Sequence, residues 1–405
     1  MKFTGTISHL SQKGLGVVKN TQNNLSYFVY GAWPGDHGEF EVIDKPLNNK
    51  KFAYAKLVRL LQSSGQRQTP PCHYVTAEDH ACTGCPWMIA DYTSQLEQKR
   101  NRVVYAMRRV GFDTAQLAIS HVHPSPKQLG YRNRCQIKTD GMQLGFVSED
   151  SHQIAPIEDC LVLNDACRAL LKSVQQQLPN PEWQDGLTQP WHFIDLDDDL
   201  QPQEIAIDHK RPFKQGNTAQ SEWMQNWLEE KLAARPLAAK AVELFCGSGN
   251  FTSIIATSNC TEVLAYEADA TAIEQLKARH LPKVKPRIAD LYDPRIWKQL
   301  QPQAGNAQIL VLDPPRAGLK KHQGFFECFK ALQAIYYISC NPETFARDAW
   351  FFCQHGWTID DIQLADLFPH TSHVETLAVF SSDSAVGRLH RPTSTGIRME
   401  NLDDD

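Results

Sequence analysis

The sequence predicts a multidomain α/β protein: a small antiparallel β-barrel, a cysteine-bearing middle, and a doubly wound α/β domain. Three observations carry this. Residues 1–62 hold short alternating runs separated by Gly, Asn and Pro. After residue 213 buried strands alternate with helices. A length of 405 residues exceeds one ordinary core.

The barrel strands are expected at Phe3–Ile7, Gly16–Val18, Tyr27–Tyr30, Gly38–Val42 and Phe52–Leu60. Lys2, Lys13, Lys19, Lys45, Lys50, Lys51, Lys56 and Arg59 outnumber Asp36, Glu39, Glu41 and Asp44 there. Barrels of this kind bind single strands, so RNA contact is one expectation and a solvated surface the other. The net charge of −5 does not itself announce a nucleic-acid binder. No apolar run reaches membrane-span length, and the start lacks a secretory core. The expectation is a cytoplasmic protein with no membrane contact. Its eleven cysteines are then metal, cluster, catalytic or core thiols rather than disulfides.

The middle domain is expected at 63–212. A polar linker, 62–66, leads to Pro70-Pro71-Cys72 and then Cys82-Thr83-Gly84-Cys85-Pro86. A Cys-x-x-Cys pair places two thiolates on one side of a tight turn. Cys160, in an irregular polar stretch before a helix, is the best fourth ligand; Cys135 and Cys167 are weaker. Spacing leaves zinc and an iron–sulfur cluster equally open, with unrelated thiols a third reading. Residues 86–112 are expected to form a helix carrying Lys99, Arg100, Arg102, Arg108 and Arg109. Residues 129–138 alternate as a strand, with Arg132, Arg134 and Lys138 on it and Lys127 just before it. Two basic stretches without acids suggest a phosphate-binding surface. Asp195–Asp199 is expected to be a solvated loop.

The last domain is expected at 213–382, with a poorly ordered tail at 383–405. Strand 241–245 precedes Cys246-Gly247-Ser248-Gly249-Asn250, and the next strand ends in Glu267. Paired glycines let a ligand approach the backbone, and such an acid accepts ribose hydroxyls. Thr252 stands where a nicotinamide site wants a third glycine, which favours S-adenosylmethionine. Asp313-Pro314-Pro315 forms a rigid loop after a strand; Arg316 stands where amine methyltransferases carry an aromatic. Carbon methylation gains from that. Cys340 ends the following strand, and Glu375 enters the last one. A cofactor loop, an acidic loop, a thiol and a carboxylate thus fall together at strand ends. Thiolate addition to carbon 6 of a pyrimidine makes carbon 5 nucleophilic, and a base then removes the carbon 5 proton.

Five ordered motifs carry a resemblance over roughly residues 1–382: Phe213-x-Gln215-x-Asn217, Leu244-Phe245-Cys246-Gly247-x-Gly249-Asn250-Phe251-Thr252, Asp313-Pro314-Pro315-Arg316-x-Gly318, Ser339-Cys340-Asn341-Pro342 and His373-Val374-Glu375-Thr376. The chain resembles the bacterial uracil-5 RNA methyltransferases, specifically the iron–sulfur, TRAM-bearing 23S rRNA branch. The resemblance implies Cys340 as nucleophile and Glu375 as base. It implies that Gln215, Phe245, Asn250, Glu267 and Asp313 bind S-adenosylmethionine or position the uracil, with Asp290 at the adenine. It further implies a 4Fe-4S cluster on Cys72, Cys82, Cys85 and Cys160, a TRAM barrel, and helix 86–112 packed with the catalytic domain. The expected partner is RNA, with no protein partner and a monomeric chain. The gap of nine residues between Cys72 and Cys82 is longer than the family pattern. Competing readings are tRNA uridine or RNA cytosine carbon-5 methylation, and a non-catalytic iron–sulfur RNA-binding protein. The cytosine enzymes carry a cysteine before the proline of the acidic loop, which Asp313-Pro314 lacks.

Overall fold

The computed structural model describes residues 1–43, 52–76, 81–148, 153–184, 190–235, 238–320 and 322–382. Asp44, Lys45, Lys50 and Lys51 and the tail reading for 383–405 fall outside these. Contacts divide the chain into two units. The first comprises Met1–Gln98, Pro126–Arg211 and Phe368–Ser372; the second comprises Lys99–Ser125, Pro212–Leu367 and the chain from His373.

In the first unit, β1 (Lys2–Leu10), β2 (Gly16–Lys19), β3 (Ser26–Val29), β4 (His37–Val42) and β5 (Phe52–Gln62) close a barrel in the order β1-β2-β3-β5-β4. Alternation sends Phe3, Ile7, Val18, Tyr27, Val29, Phe40, Ala53 and Ala55 inward. The helix expected at 86–112 is shorter: α1 runs Tyr92–Arg109. Residues 86–90 are tight turns, with Met88 N bonded to Cys85 O and Ala90 N to Trp87 O. Asp91 caps the helix by accepting from Ser94 N at 2.8 Å. Gly111, at φ +109°, follows its end. From Lys99 onward α1 belongs to the second unit, as does β6 (Ile119–His123).

The remainder of the first unit is an antiparallel sheet, order β10-β7-β8-β9: β7 (Arg134–Thr139), β8 (Leu144–Val147), β9 (Ile154–Pro156) and β10 (His192–Asp197). α2 (Asp165–Gln175) shares its core, with Cys167, Leu171 and Val174 meeting Cys135, Ile137, Ile194 and Leu196. The stretch expected as a solvated acidic loop is therefore largely strand. Asp195 and Asp197 are buried, and Arg134 donates to Asp195 at 2.7 Å.

The second unit holds α3 (Thr218–Ala233), β11 (Lys240–Leu244), α4 (Thr252–Thr257), β12 (Glu262–Glu267), α5 (Ala270–Ala278), β13 (Val284–Ile288), α6 (Ile296–Ala304), β14 (Ile309–Leu312), α7 (Phe325–Cys328), β15 (Ala334–Ser339), α8 (Pro342–Gln354), β16 (Trp357–Ala365) and β17 (Glu375–Ser382). Its sheet has the order β13-β12-β11-β14-β15-β17-β16-β6. Continuous apolar runs such as Ile309–Leu312, buried throughout, are those of parallel strands covered on both faces. The order reverses between β11 and β14, so a crevice opens at their carboxyl ends. β17 runs antiparallel between β15 and β16, which brings its first residue to that same edge.

The phosphate-binding surface expected from the basic stretches is mostly committed elsewhere. Lys99 pairs with Asp366, and Arg102 with Glu343 at 3.6 Å. Arg100 donates to Ile119 O and Ser120 O, and Arg108 to Thr114 Oγ1. These cations meet local acceptors that a one-dimensional charge pattern does not reveal.

Candidate active site

The crevice of the second unit starts with a bent strand end. Phe245 has φ +65°, a conformation costly for a bulky side chain. It turns the chain into the glycine loop, where Gly247 and Gly249 also have positive φ. A side chain on Gly249 would lie 2.5 Å from Leu276, so only glycine fits there. Gly247 faces open space. Its amide donates to Glu267 Oε2 at 3.1 Å, while Glu267 Oε1 accepts from Ala268 N and Asp269 N. Asn250 accepts from Gln225 at 2.8 Å and Ser221 at 3.2 Å, and its buried Nδ2 has no partner among the described residues. Phe245 packs against Tyr292 with ring centres 5.7 Å apart, and exposed Asp290 accepts from Tyr292 N at 2.9 Å. Gln215 is half-buried just before α3, whose cap Asn217 bonds Gln220 N, Ser125 and Leu367 O.

The reactive side is built by strand register. Ser339 pairs with Thr376 across β15 and β17, so Cys340, just past the end of β15, and Glu375, the first residue of β17, lie at the same end of the pair. Ser339 and Asn341 hold the turn between β15 and α8: Asn341 N donates to Ser339 Oγ, and Asn341 Oδ1 accepts from Glu343 N. Asn341 Nδ2 and Thr344 Oγ1 both donate to Arg316 O, which ties the Asp313-Pro314-Pro315-Arg316 loop to the cysteine loop. Arg316 in turn donates to His373 Nε2 at 3.1 Å, two residues before Glu375.

Three acids share this space. Burial, then Asp313, push the Glu375 carboxyl up to about 8. Burial and Glu267 push Asp313 up to about 7. Burial, then Glu375 and Asp313, push the Cys340 thiol up to about 12, against the pull of Arg316. Crowded like charges with little water leave the group short of full ionisation near neutrality. Such a set can exchange protons, as nucleophile-and-base chemistry requires.

Sequence reasoning missed four groups here. Lys99 and Asp366 form a fully buried ion pair. Glu243, buried under the glycine loop, accepts from Thr252 Oγ1 at 2.6 Å. His373 bonds Arg316, although its motif was read for Glu375 alone. Lys99 did leave a signal: it lies one turn before Val103 on the apolar side of α1.

The thiols of the first unit form a separate group. Cys72, Cys85 and Cys160 pack against Met88, Tyr131 and Val162. Cys82 N bonds Tyr74 O at 2.8 Å and Gly84 N points at the Cys82 sulfur at 3.5 Å. Burial, then the thiols of Cys160 and Cys72, push Cys82 up to about 11. Burial, Cys160 and Cys82 push Cys85 higher still. Cys135 and Cys167 lie in the apolar core instead. Among the described residues no three His, Cys, Asp or Glu side chains are arranged around a single metal ion. A zinc ion would gather its sulfurs at about 2.3 Å from one centre. A four-iron cluster takes one thiolate at each iron, a wider spacing.

The family described as tRNA (Uracil-5-)-methyltransferase matches residues 297–382. An uncharacterized RNA methyltransferase of Nitrosomonas europaea is 58% identical over 380 residues, 94% of this chain and 97% of the relative. The chain belongs to the RNA uracil-5 methyltransferase family. The family's 23S rRNA (uracil(1939)-C(5))-methyltransferase RlmD of Vibrio parahaemolyticus is 29% identical, covering 92% of this chain and 94% of the relative. The fold matches the crystal structure of Pyrococcus abyssi tRNA (uracil-54, C5)-methyltransferase in complex with S-adenosyl-L-homocysteine, with a TM-score of 0.65. That match has 22% identity and covers 93% of this chain and 100% of the other.

Proposed function

We propose that this protein methylates carbon 5 of a uridine in RNA, with 23S rRNA as the substrate. The observation that carries the reading is that Cys340 and Glu375, each adjoining the paired residues Ser339 and Thr376, are electrostatic neighbours at the crevice edge. S-adenosylmethionine, when bound, supplies an electrophilic methyl group. Gly247, Glu267, Phe245, Asn250, Asp290 and Gln215 are the residues that would hold it or the uracil. The Cys340 thiolate adds to carbon 6, and its electron pair makes carbon 5 the nucleophile that takes the methyl. The Glu375 carboxylate accepts the carbon 5 proton, and the carbon 6–sulfur bond breaks to return the thiolate. Asp313 neighbours both groups electrostatically and, when protonated, can donate to a substrate oxygen.

Cys72, Cys82, Cys85 and Cys160 fit a 4Fe-4S cluster. Neighbouring thiols disfavour the ionisation of Cys82, Cys85 and Cys160, and Arg132 opposes this at Cys85 and Cys160. A cationic metal core would make four thiolates compatible. We read the cluster as structural support for the first unit and the β1–β5 barrel as a TRAM-type RNA contact.

The test is RNA bearing 5-fluorouridine, because fluorine cannot leave as a proton does. A covalent protein–RNA species that depends on Cys340 is expected. Methylation undiminished in Cys340→Ala would sink the mechanism. A tRNA uridine is the second reading, because the matched family is described by tRNA. Mapping 5-methyluridine in rRNA and tRNA from a strain lacking the gene separates the two.

A further inference from the structure

Lys99 places an ammonium where no solvent reaches. Its side chain and that of Asp366 are both 0% exposed. It lies on the face of α1 that also buries Val103, Ala106 and Met107. A charge there is costly unless a close partner meets it. Asp366 is that partner: Lys99 Nζ donates to Asp366 Oδ1. Asp366 is itself fixed, since its amide bonds His123 O of β6 at 3.0 Å.

The pair sits beside the base in the sheet register. Ala365 pairs with Glu375 across β16 and β17, and Asp366 is the next residue. The charged and titratable groups that act on Glu375 are Asp313 and Arg316 after β14, Cys340 after β15 and Lys99 from α1, and Asp366 follows Ala365, the register partner of Glu375 on β16. His373, two residues earlier, is bonded to Arg316, and Arg102, close along α1, faces Lys99 while paired with Glu343. Lys99 and Arg316 are the two cations that favour the Glu375 carboxylate. Arg316 is exposed in the substrate loop, whereas Lys99 is sealed inside.

We propose that Lys99, locked by Asp366, is a positioning residue whose buried charge keeps Glu375 available as a carboxylate for the carbon 5 proton. This rests on the reading of Glu375 as base. Lys99 touches no substrate atom. It acts through Glu375, at a distance fixed by α1 and β16. Asp366 both holds the ammonium charged and moderates its pull.

The experiment is the pH–rate profile of the full-length protein with S-adenosylmethionine and bulk RNA from cells lacking the gene. In Lys99→Met the rising limb should move up by about one pH unit, with roughly ten-fold lower rate on that limb and recovery at high pH. In Asp366→Asn the buried amine loses the partner that keeps it charged against the downward pull of burial, so the limb should move up as in Lys99→Met. Lys99→Arg should keep the limb in place. An unmoved limb in Lys99→Met, with rates lowered equally at every pH, would overturn the proposal in favour of a structural role. Should Lys99→Met fail to fold, an unmoved limb in Asp366→Asn overturns it equally. Glu375→Gln separates the two levels. If it does not accumulate a covalent methylated RNA adduct, the base reading itself fails. If it does while the Lys99 and Asp366 limbs stay fixed, only the positioning role fails.

Discussion

The Gly247 amide donates to the Glu267 carboxylate at 3.1 Å, so one acid fixes both the glycine loop after β11 and the end of β12. Its other oxygen accepts two further amides, from Ala268 and Asp269. The carboxylate is held ready before any ligand arrives, which limits the ordering that binding must impose.

Glu267→Gln should therefore weaken S-adenosyl-L-homocysteine binding by about ten-fold or more, since a charge-assisted acceptor of about 1.5–3 kcal/mol is lost. Calorimetric titration reads this directly. Because Glu267 is only half-buried, the melting temperature should move little. Unchanged affinity would exclude Glu267 from the ligand site.

Glu375→Gln should change how stability depends on pH. Folding lifts this carboxyl from 4.5 to about 8. Between those values the folded chain keeps a proton that the unfolded chain has released, so stability falls as pH rises through the window. Glutamine removes that fall. The variant should gain on wild type by on the order of a few kcal/mol between pH 5 and pH 9, discounted by coupling to Asp313. Denaturant titrations at the two pH values check it; parallel curves would contradict the burial of this acid.

Anaerobically purified protein should be brown and carry about four irons per chain, one for each thiolate ligand. Cys85→Ala and Cys160→Ala should each lose most of this iron and the accompanying visible absorbance. Cys135→Ala, altered in the apolar core, should lose stability but keep the iron. Zinc without iron in the wild-type protein would replace the cluster reading.

The fold was largely legible because its signals are local. The strand ending at Leu244, the glycines, the acid at Glu267 and the turn after Ser339 follow from nearby residue types. The nearness of Cys340 to Glu375 was legible only as a shared sheet edge. Their adjacency requires β17 to insert antiparallel between β15 and β16, which no local pattern states. Charge was the least legible feature. Lys99 and Arg134 read as surface cations because their acids, Asp366 and Asp195, stand far away in the sequence. The helix expected at 86–112 starts later because its apolar spacing, from Leu96 to Val110, marks no beginning, which the cap at Asp91 sets.

The edge strand β6 has a consequence for anyone dividing this chain. It joins the catalytic sheet parallel to β16, yet it is encoded before the whole middle sheet. A fragment beginning at Pro212 would contain every motif of the reaction and still lack both this strand and Lys99. Its β16 would be left with an open row of amides and carbonyls, a template for sticking to other chains. During synthesis, likewise, residues 119–123 emerge early and must wait for 357–365 before they find a neighbour. The methyltransferase unit is thus compact in space but interrupted in the sequence, and it cannot be cut out by a single pair of scissors.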